Sequence, residues 1–256
     1  MSLFGDLLAD HGDEVAALDA LLSTLSDDDW LKPTPAEGWD VRDSVAHLAV
    51  SDEMALECVL MDRIPEGMQR GMDAVTAGLE AAAMFEQELV ERGRVLGPAE
   101  VLEWWRGGNV ALREALAELD TSRRLLWGPN LMSPASFVTA RLMETWAHGL
   151  DCFDAAGVEP TDTDRLRHVA LLGLKALPYA FMVAGLEGPG PVRLKLTAPS
   201  GVQWLLGDDD APTVIEATAA DWCRVAVRRD RGGERDRLSG TGPDAENVIA
   251  HVRAYL

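Results

Sequence analysis

The sequence predicts an α+β protein in two parts, a helical domain over residues 1–157 and a smaller α+β domain over 158–256. Up to Ala156, apolar residues recur at three-, four- and seven-residue spacings, the signature of amphipathic helices. Gly185, Gly188, Pro189, Gly190 and Pro191 then break the pattern. Beyond them Val192, Leu194 and Leu196 alternate with polar residues, which is strand spacing.

The elements follow in order. Residues 3–25 read as a helix through Leu8, Val15, Leu18, Leu22 and Leu25, and Ser26–Gly38, with Pro33 and Pro35, as a loop. A second helix begins at Asp40, whose carboxylate can cap free backbone N–H groups; Val41, Val45, Leu48 and Ala49 form its buried stripe. Residues 70–95 are predicted helical, Gly97-Pro98 breaks the chain, and 99–119 form a further helix on Val101, Leu102, Trp105, Leu112, Leu116 and Leu119. Trp127-Gly128-Pro129-Asn130 reads as a turn. A helix starts at Ser133-Pro134 and stops before Gly157. The second domain should hold a helix over 162–184, strands near 192–196, 202–206 and 214–217, and helices over 219–229 and 244–256.

Composition narrows the function. With 47% hydrophobic residues in 256, the core needs no covalent staple. The formal net charge is -20, from 43 acidic and 23 basic residues, a field that repels DNA and RNA and argues against a nucleic-acid partner. Cys58, Cys152 and Cys223 are odd in number and far apart, so no disulfide framework is implied. The acidic N-terminus does not read as a signal peptide, and no apolar run of about 18 residues predicts a membrane span. A cytoplasmic location is expected. Oligomeric state is left open.

Helical geometry singles out one constellation. At about 100° per residue, with Arg141 at zero, His148 lies about 20° away, Glu144 about 60° and Asp151 about 80°. Leu142, Met143, Trp146 and Leu150 occupy the opposite arc. Glu144 and His148 are i and i+4, close enough to reach one ion. On the helix from Asp40, His47 shares a stripe with Asp43, Ser44 and Ser51. If the two stripes face each other, two imidazoles and a carboxylate meet, a donor set that suits Zn²⁺ and leaves a fourth position open. If they face water, the same residues are a solvated helix face. Geometry alone leaves both readings standing.

Two motifs add a family. Gly38-Trp39-Asp40-Val41-Arg42-Asp43-Ser44-Val45-Ala46-His47-Leu48 is similar to the GW-x-V-x-D-x-x-x-H-L signature of the DinB-like superfamily. Ala140 to Asp151 resembles its R-x-x-E-x-x-x-H-x-x-D element. The nearest subgroup is the mycothiol-dependent maleylpyruvate isomerase family of actinobacteria, and the C-terminal part resembles the sterol-carrier-like domain appended there. The resemblance implies a four-helix bundle whose His47, Glu144 and His148 hold a divalent metal, usually zinc, although nickel and iron accept the same ligands. It implies activation of a small thiol, mycothiol, for isomerisation of or S-transfer to a small electrophilic substrate. The alternative is a member that binds metal or a small molecule without turnover. Asp43 and Asp151 are candidates to orient the histidines, or plain surface carboxylates. Arg141 is a candidate to balance charge or to pair with Asp151 or Glu144. Arg228 or Arg229 is the candidate arginine for a substrate carboxylate. Trp39 and Trp146 read as core anchors, and Cys152 as a small buried residue.

Overall fold

The computed structural model describes residues 3–61, 63–127 and 130–254. The fold is α+β, and the chain divides into two compact units, Met1–Glu159 and Pro160–Leu256.

The first unit is built on four long helices: α1 (Leu3–Leu22), α3 (Val41–Met61), α6 (Pro98–Ala117) and α7 (Pro134–Ala156). Helix α3 packs on α6 and α7, and α1 packs on α7 and α6. Between them lie α2 (Asp27–Trp30), α4 (Glu66–Ala77), α5 (Leu79–Arg94) and a hairpin of β1 (Leu125–Trp127) and β2 (Asn130–Met132). The core is apolar and dense, with Trp105, Leu112 and Leu116 on α6 and Phe137 and Leu142 on α7 fully buried or nearly so. Each such side chain contributes roughly 1.5–3 kcal/mol of burial.

Local chemistry sets the ends of the helices that matter. Asp40 Oδ1 accepts from the Asp43 N–H (2.8 Å), and Asp43 Oδ2 accepts from the Asp40 N–H (3.3 Å), a reciprocal cap at the start of α3. Ser133 Oγ accepts from the Ser136 N–H at the start of α7, with Pro134 in its first turn. Gly157 ends α7 in the left-handed region, φ 68°.

Several elements differ from the sequence expectation. The segment 70–95 is two helices, because Gly78 at φ 123° leaves helical space where a side chain would be strained. Ser26–Gly38 contains α2, closed by a Ser26/Asp29 capping box. In the predicted 127–130 turn, Gly128 and Pro129 lie outside the described residues; their flanks pair as an antiparallel hairpin that helical periodicity does not announce. The buried face of α1 runs through Leu7, Leu18, Leu21 and Leu22, with Leu8 and Val15 at its margin.

In the second unit, β3 (Val192–Thr197), β4 (Gln203–Gly207), β5 (Thr213–Thr218) and β6 (Ser239–Thr241) form a sheet in the order β4-β3-β5-β6. Strand β3 is antiparallel to β4 and parallel to β5. The predicted 162–184 helix is split into α8 (Leu166–Lys175) and α9 (Leu177–Val183), because Pro178 lacks the N–H that would continue α8. Helix α10 (Ala219–Ala226) stops earlier than expected, with Arg228 in the left-handed region at φ 59°. Helix α11 (Ala245–His251) is likewise shorter, and residues 255 and 256 lie outside the described residues. Among the described residues no single helix is long and apolar enough to cross a membrane; α8 and α9, bent by 50°, pass only as a pair and only by length and composition.

Candidate metal centre

Helix α7 is buried on its polar stripe as well as its apolar arc. Leu142, Met143, Trp146 and Leu150 are buried, and so are Arg141, His148 and Asp151. The stripe therefore faces inward, onto α3. His47 Nε2 and His148 Nε2 lie 3.7 and 3.6 Å from Glu144 Oε2. One donor atom from each of the three residues falls within 4.8 Å of the others. Separations of 3.6–3.7 Å are long for hydrogen bonds. They match donors sharing one ion, since two ligands about 2.1 Å from a tetrahedral centre stand roughly 3.4 Å apart. The triad keeps some access to solvent, with side-chain exposures of 18% for His47, 23% for Glu144 and 11% for His148.

The surroundings hold the donors in place. Asp151 Oδ2 lies 3.2 Å from His148 Nδ1, which leaves Nε2 to face Glu144. Trp39 packs against both imidazoles, at 5.1 Å from the His47 ring and stacked at 5.7 Å on the His148 ring. It is a wall of the site as well as a buried residue. The loop that carries it is held by Thr34, whose N–H and Oγ1 both donate to the Trp39 carbonyl, at 2.8 and 3.1 Å. His47 Nδ1 is buried with no hydrogen-bond partner among the described residues.

Charge is distributed unevenly. Burial pushes the Glu144 carboxyl up, but the two facing imidazoles and the Arg141 guanidinium outweigh it, leaving it well below the usual carboxylate range. Burial lowers the His47 pKa. Burial also presses on His148, yet Asp151 and Glu144 overcome it and raise its pKa.

Asp43 stands away from the histidines, and Arg141 acts on the centre by its charge without pairing to a carboxylate there. Asp43 is buried at the head of α3, where Arg94 of α5 donates to it from Nε (3.0 Å) and Nη2 (2.9 Å). The reason is position: Asp43 is the third residue of α3, one turn before His47, and its carboxylate is consumed by the helix cap. Arg141 forms no ion pair with Asp151 or Glu144 among the described residues. It is 2% exposed, its guanidinium lies over the Trp127 ring at 5.2 Å, and its Nε and Nη1 have no hydrogen-bond partner among the described residues.

Arg228 and Arg229 belong to the second unit, just past α10. Arg228 is exposed, and Arg229 Nη1 donates to the Val227 carbonyl at 2.9 Å. Arg224, in the same run, forms a two-pronged pair with Asp162 at 2.9 and 3.0 Å.

Sequence reasoning missed a buried polar group around Arg141. His11 of α1 is fully buried, and neither ring nitrogen has a partner among the described residues. Burial first, then the charges of Arg141 and Arg113, lower its pKa to about 3. Asp52 of α3 accepts from Asn109 of α6 at 3.3 Å, and burial pushes its carboxyl up to about 6 against the pull of Arg141. The signal was present: His11 is four residues from Leu7 and seven from Leu18, and Asp52 is four from Leu48 and three from Ala55, so each interrupts an apolar stripe.

Comparison with known proteins places this architecture. Residues 11–153 match the family model of the mycothiol maleylpyruvate isomerase N-terminal domain. Two uncharacterized proteins of Mycobacterium tuberculosis, from strains CDC 1551 / Oshkosh and ATCC 25618 / H37Rv, are each 37% identical over 252 residues, covering 98% of this chain and 95% of the relative. The crystal structure of the mycothiol-dependent maleylpyruvate isomerase, and that of a histidine-to-alanine variant of it, align with TM-scores of 0.58 and 0.59 at 18% identity, over 95% of this chain and 99% of theirs. That likeness is one of fold. On the family match and the near-complete relatives, the chain belongs to the mycothiol maleylpyruvate isomerase family of DinB-like proteins.

Proposed function

We propose that this chain holds one divalent metal ion, zinc, on His47, Glu144 and His148, and uses it with mycothiol to isomerise a small electrophile or transfer a thiol to it. The observation that carries the reading is the convergence of the three donor atoms within 4.8 Å on an inward-facing stripe that still meets solvent. Two imidazole nitrogens and one carboxylate oxygen suit zinc and leave a position for a further ligand. When bound, the ion supplies a positive charge that favours the thiolate of a small thiol at neutral pH.

The chain's own residues do the rest. Asp151 keeps the His148 ring turned toward Glu144, and Trp39 limits the movement of both imidazoles. The thiol must come from outside. Cys58, Cys152 and Cys223 are all buried, and burial raises each thiol pKa, to about 11 for Cys58, so none is a ready nucleophile. The family supports mycothiol as that thiol.

The test is elemental analysis of the native protein beside His47→Ala and His148→Ala. About one equivalent of metal in the native protein and close to none in either variant is expected; an undiminished metal content in both would remove the assignment. Metal-loaded protein is then titrated with mycothiol, with glutathione as control. Binding of mycothiol is expected, and no binding at millimolar concentration would remove the thiol role.

A further inference from the structure

Arg141 stands three residues before Glu144 on the inward stripe of α7, about 4.5 Å along the helix axis. Its charge reaches His11 of α1 and Asp52 of α3, and Asp52 is in turn bonded to Asn109 of α6. The charge of Arg141 also acts on His47 and Glu144 of the donor triad.

Asp52 and Asn109 satisfy each other. The remainder is not satisfied from within the protein. Arg141 Nε and Nη1 and both nitrogens of His11 are buried and unpartnered among the described residues. A buried guanidinium with idle donors is costly, and buried donors in native proteins are met by protein, ordered water or ligand. Trp127 lies over the guanidinium at 5.2 Å, so the face is taken while the in-plane N–H directions stay available. Those directions match the oxygens of a carboxylate. His11, held neutral, adds one N–H donor without adding charge.

We propose that Arg141, assisted by His11, is the binding site for a carboxylate group of the small molecule that reaches the His47–Glu144–His148 centre. The identity of that molecule as substrate rests on the metal-and-thiol reading above; the anion site itself does not.

The probe is succinate, with uncharged succinamide as control, titrated calorimetrically into metal-loaded full-length protein. Wild type should bind succinate at least about tenfold more tightly than succinamide, and Arg141→Gln should lose at least about tenfold in succinate affinity, the scale of one charge-assisted hydrogen bond. Arg141→Lys should recover part of it. Equal binding of succinate and succinamide would mean that the cluster holds water only and would overturn the proposal. So would unchanged succinate affinity in a folded Arg141→Gln protein, or binding lost in His47→Ala but kept in Arg141→Gln, which would place the carboxylate on the metal. Undiminished metal in both His47→Ala and His148→Ala alongside Arg141-dependent succinate binding would sink the metal reading and leave the anion site standing. Should Arg141→Gln fail to fold, hydrogen exchange on wild type decides. Succinate, and not succinamide, should slow exchange several-fold over 138–145 and 8–14, and no slowing there overturns the proposal.

Discussion

Trp105 and Trp222 are both fully buried, one in each unit, and they are treated differently. Trp222 Nε1 donates to the Ala170 carbonyl at 3.2 Å, whereas Trp105 Nε1 has no partner among the described residues. The contrast extends to the polar groups around them. In the second unit, buried Asp221 receives two hydrogen bonds from Arg237 and one from Thr218, and buried Thr213 accepts from the Asp244 N–H. In the first, His11, His47, Trp105 and Arg141 all bury polar nitrogens without a partner among the described residues. A core built for stability satisfies its polar groups internally. Of the unpartnered groups in the first unit, His11 and Arg141 are those assigned above to the proposed carboxylate.

Four experiments break or sharpen that contrast. Trp222→Ala should cost about 3–5 kcal/mol by leaving a cavity in the core of the second unit. Urea unfolding would measure this, and metal content should not change; a fall in metal per folded protein would end the separation of roles.

His11 gives the next largest effect. Its folded pKa, about 3, lies below the ordinary 6.5, so the unfolded chain takes up a proton that the native protein refuses. His11 therefore contributes full stability above about pH 6.5 and loses it as pH falls toward 3. Between pH 7 and 4.5 wild type should lose about 2.5 kcal/mol more than His11→Leu. Asp52, whose raised pKa works in the opposite direction, is present in both proteins and cancels. Equal pH sensitivity of the two would show that His11 is not the proton-refusing group.

Asp151→Asn should weaken metal affinity about 10- to 100-fold, read by competition with a chelator. Unaltered affinity would make Asp151 a bystander. The smallest effect is that of Asp43→Asn, which loosens the pair with Arg94 for about 1 kcal/mol in thermal or urea melts. Metal affinity should stay as in wild type, because Asp43 serves the α3 cap; a loss comparable to that of Asp151→Asn would return it to the centre.

Much of this was legible in one dimension. Ser133, Pro134 and Gly157 bound α7 to the residue, because capping and left-handed closure are local events. The alternation from Val192 marks β3, and the spacing of Arg141, Glu144, His148 and Asp151 places them on one stripe. Less local features were harder to read. The breaks at Gly78 and before Pro178 sit inside segments whose composition still favours helix. The hairpin of β1 and β2 is made by pairing across the chain. His11 and Asp52 look like solvated residues until the stripes they interrupt are seen to be buried.

The sequence by itself determined which residues share a helical face, since the 3.6-residue period is a property of the backbone alone. It determined the helix ends where a cap or a glycine stands at the boundary. Only the tertiary structure decided that the α7 stripe faces α3 and not water, that Trp39 walls the histidines, and that Asp43 turns to Arg94. Which way a face points depends on what packs against it, and those partners lie more than a hundred positions apart in the chain, as Trp39 and His148 do, 109 residues from each other.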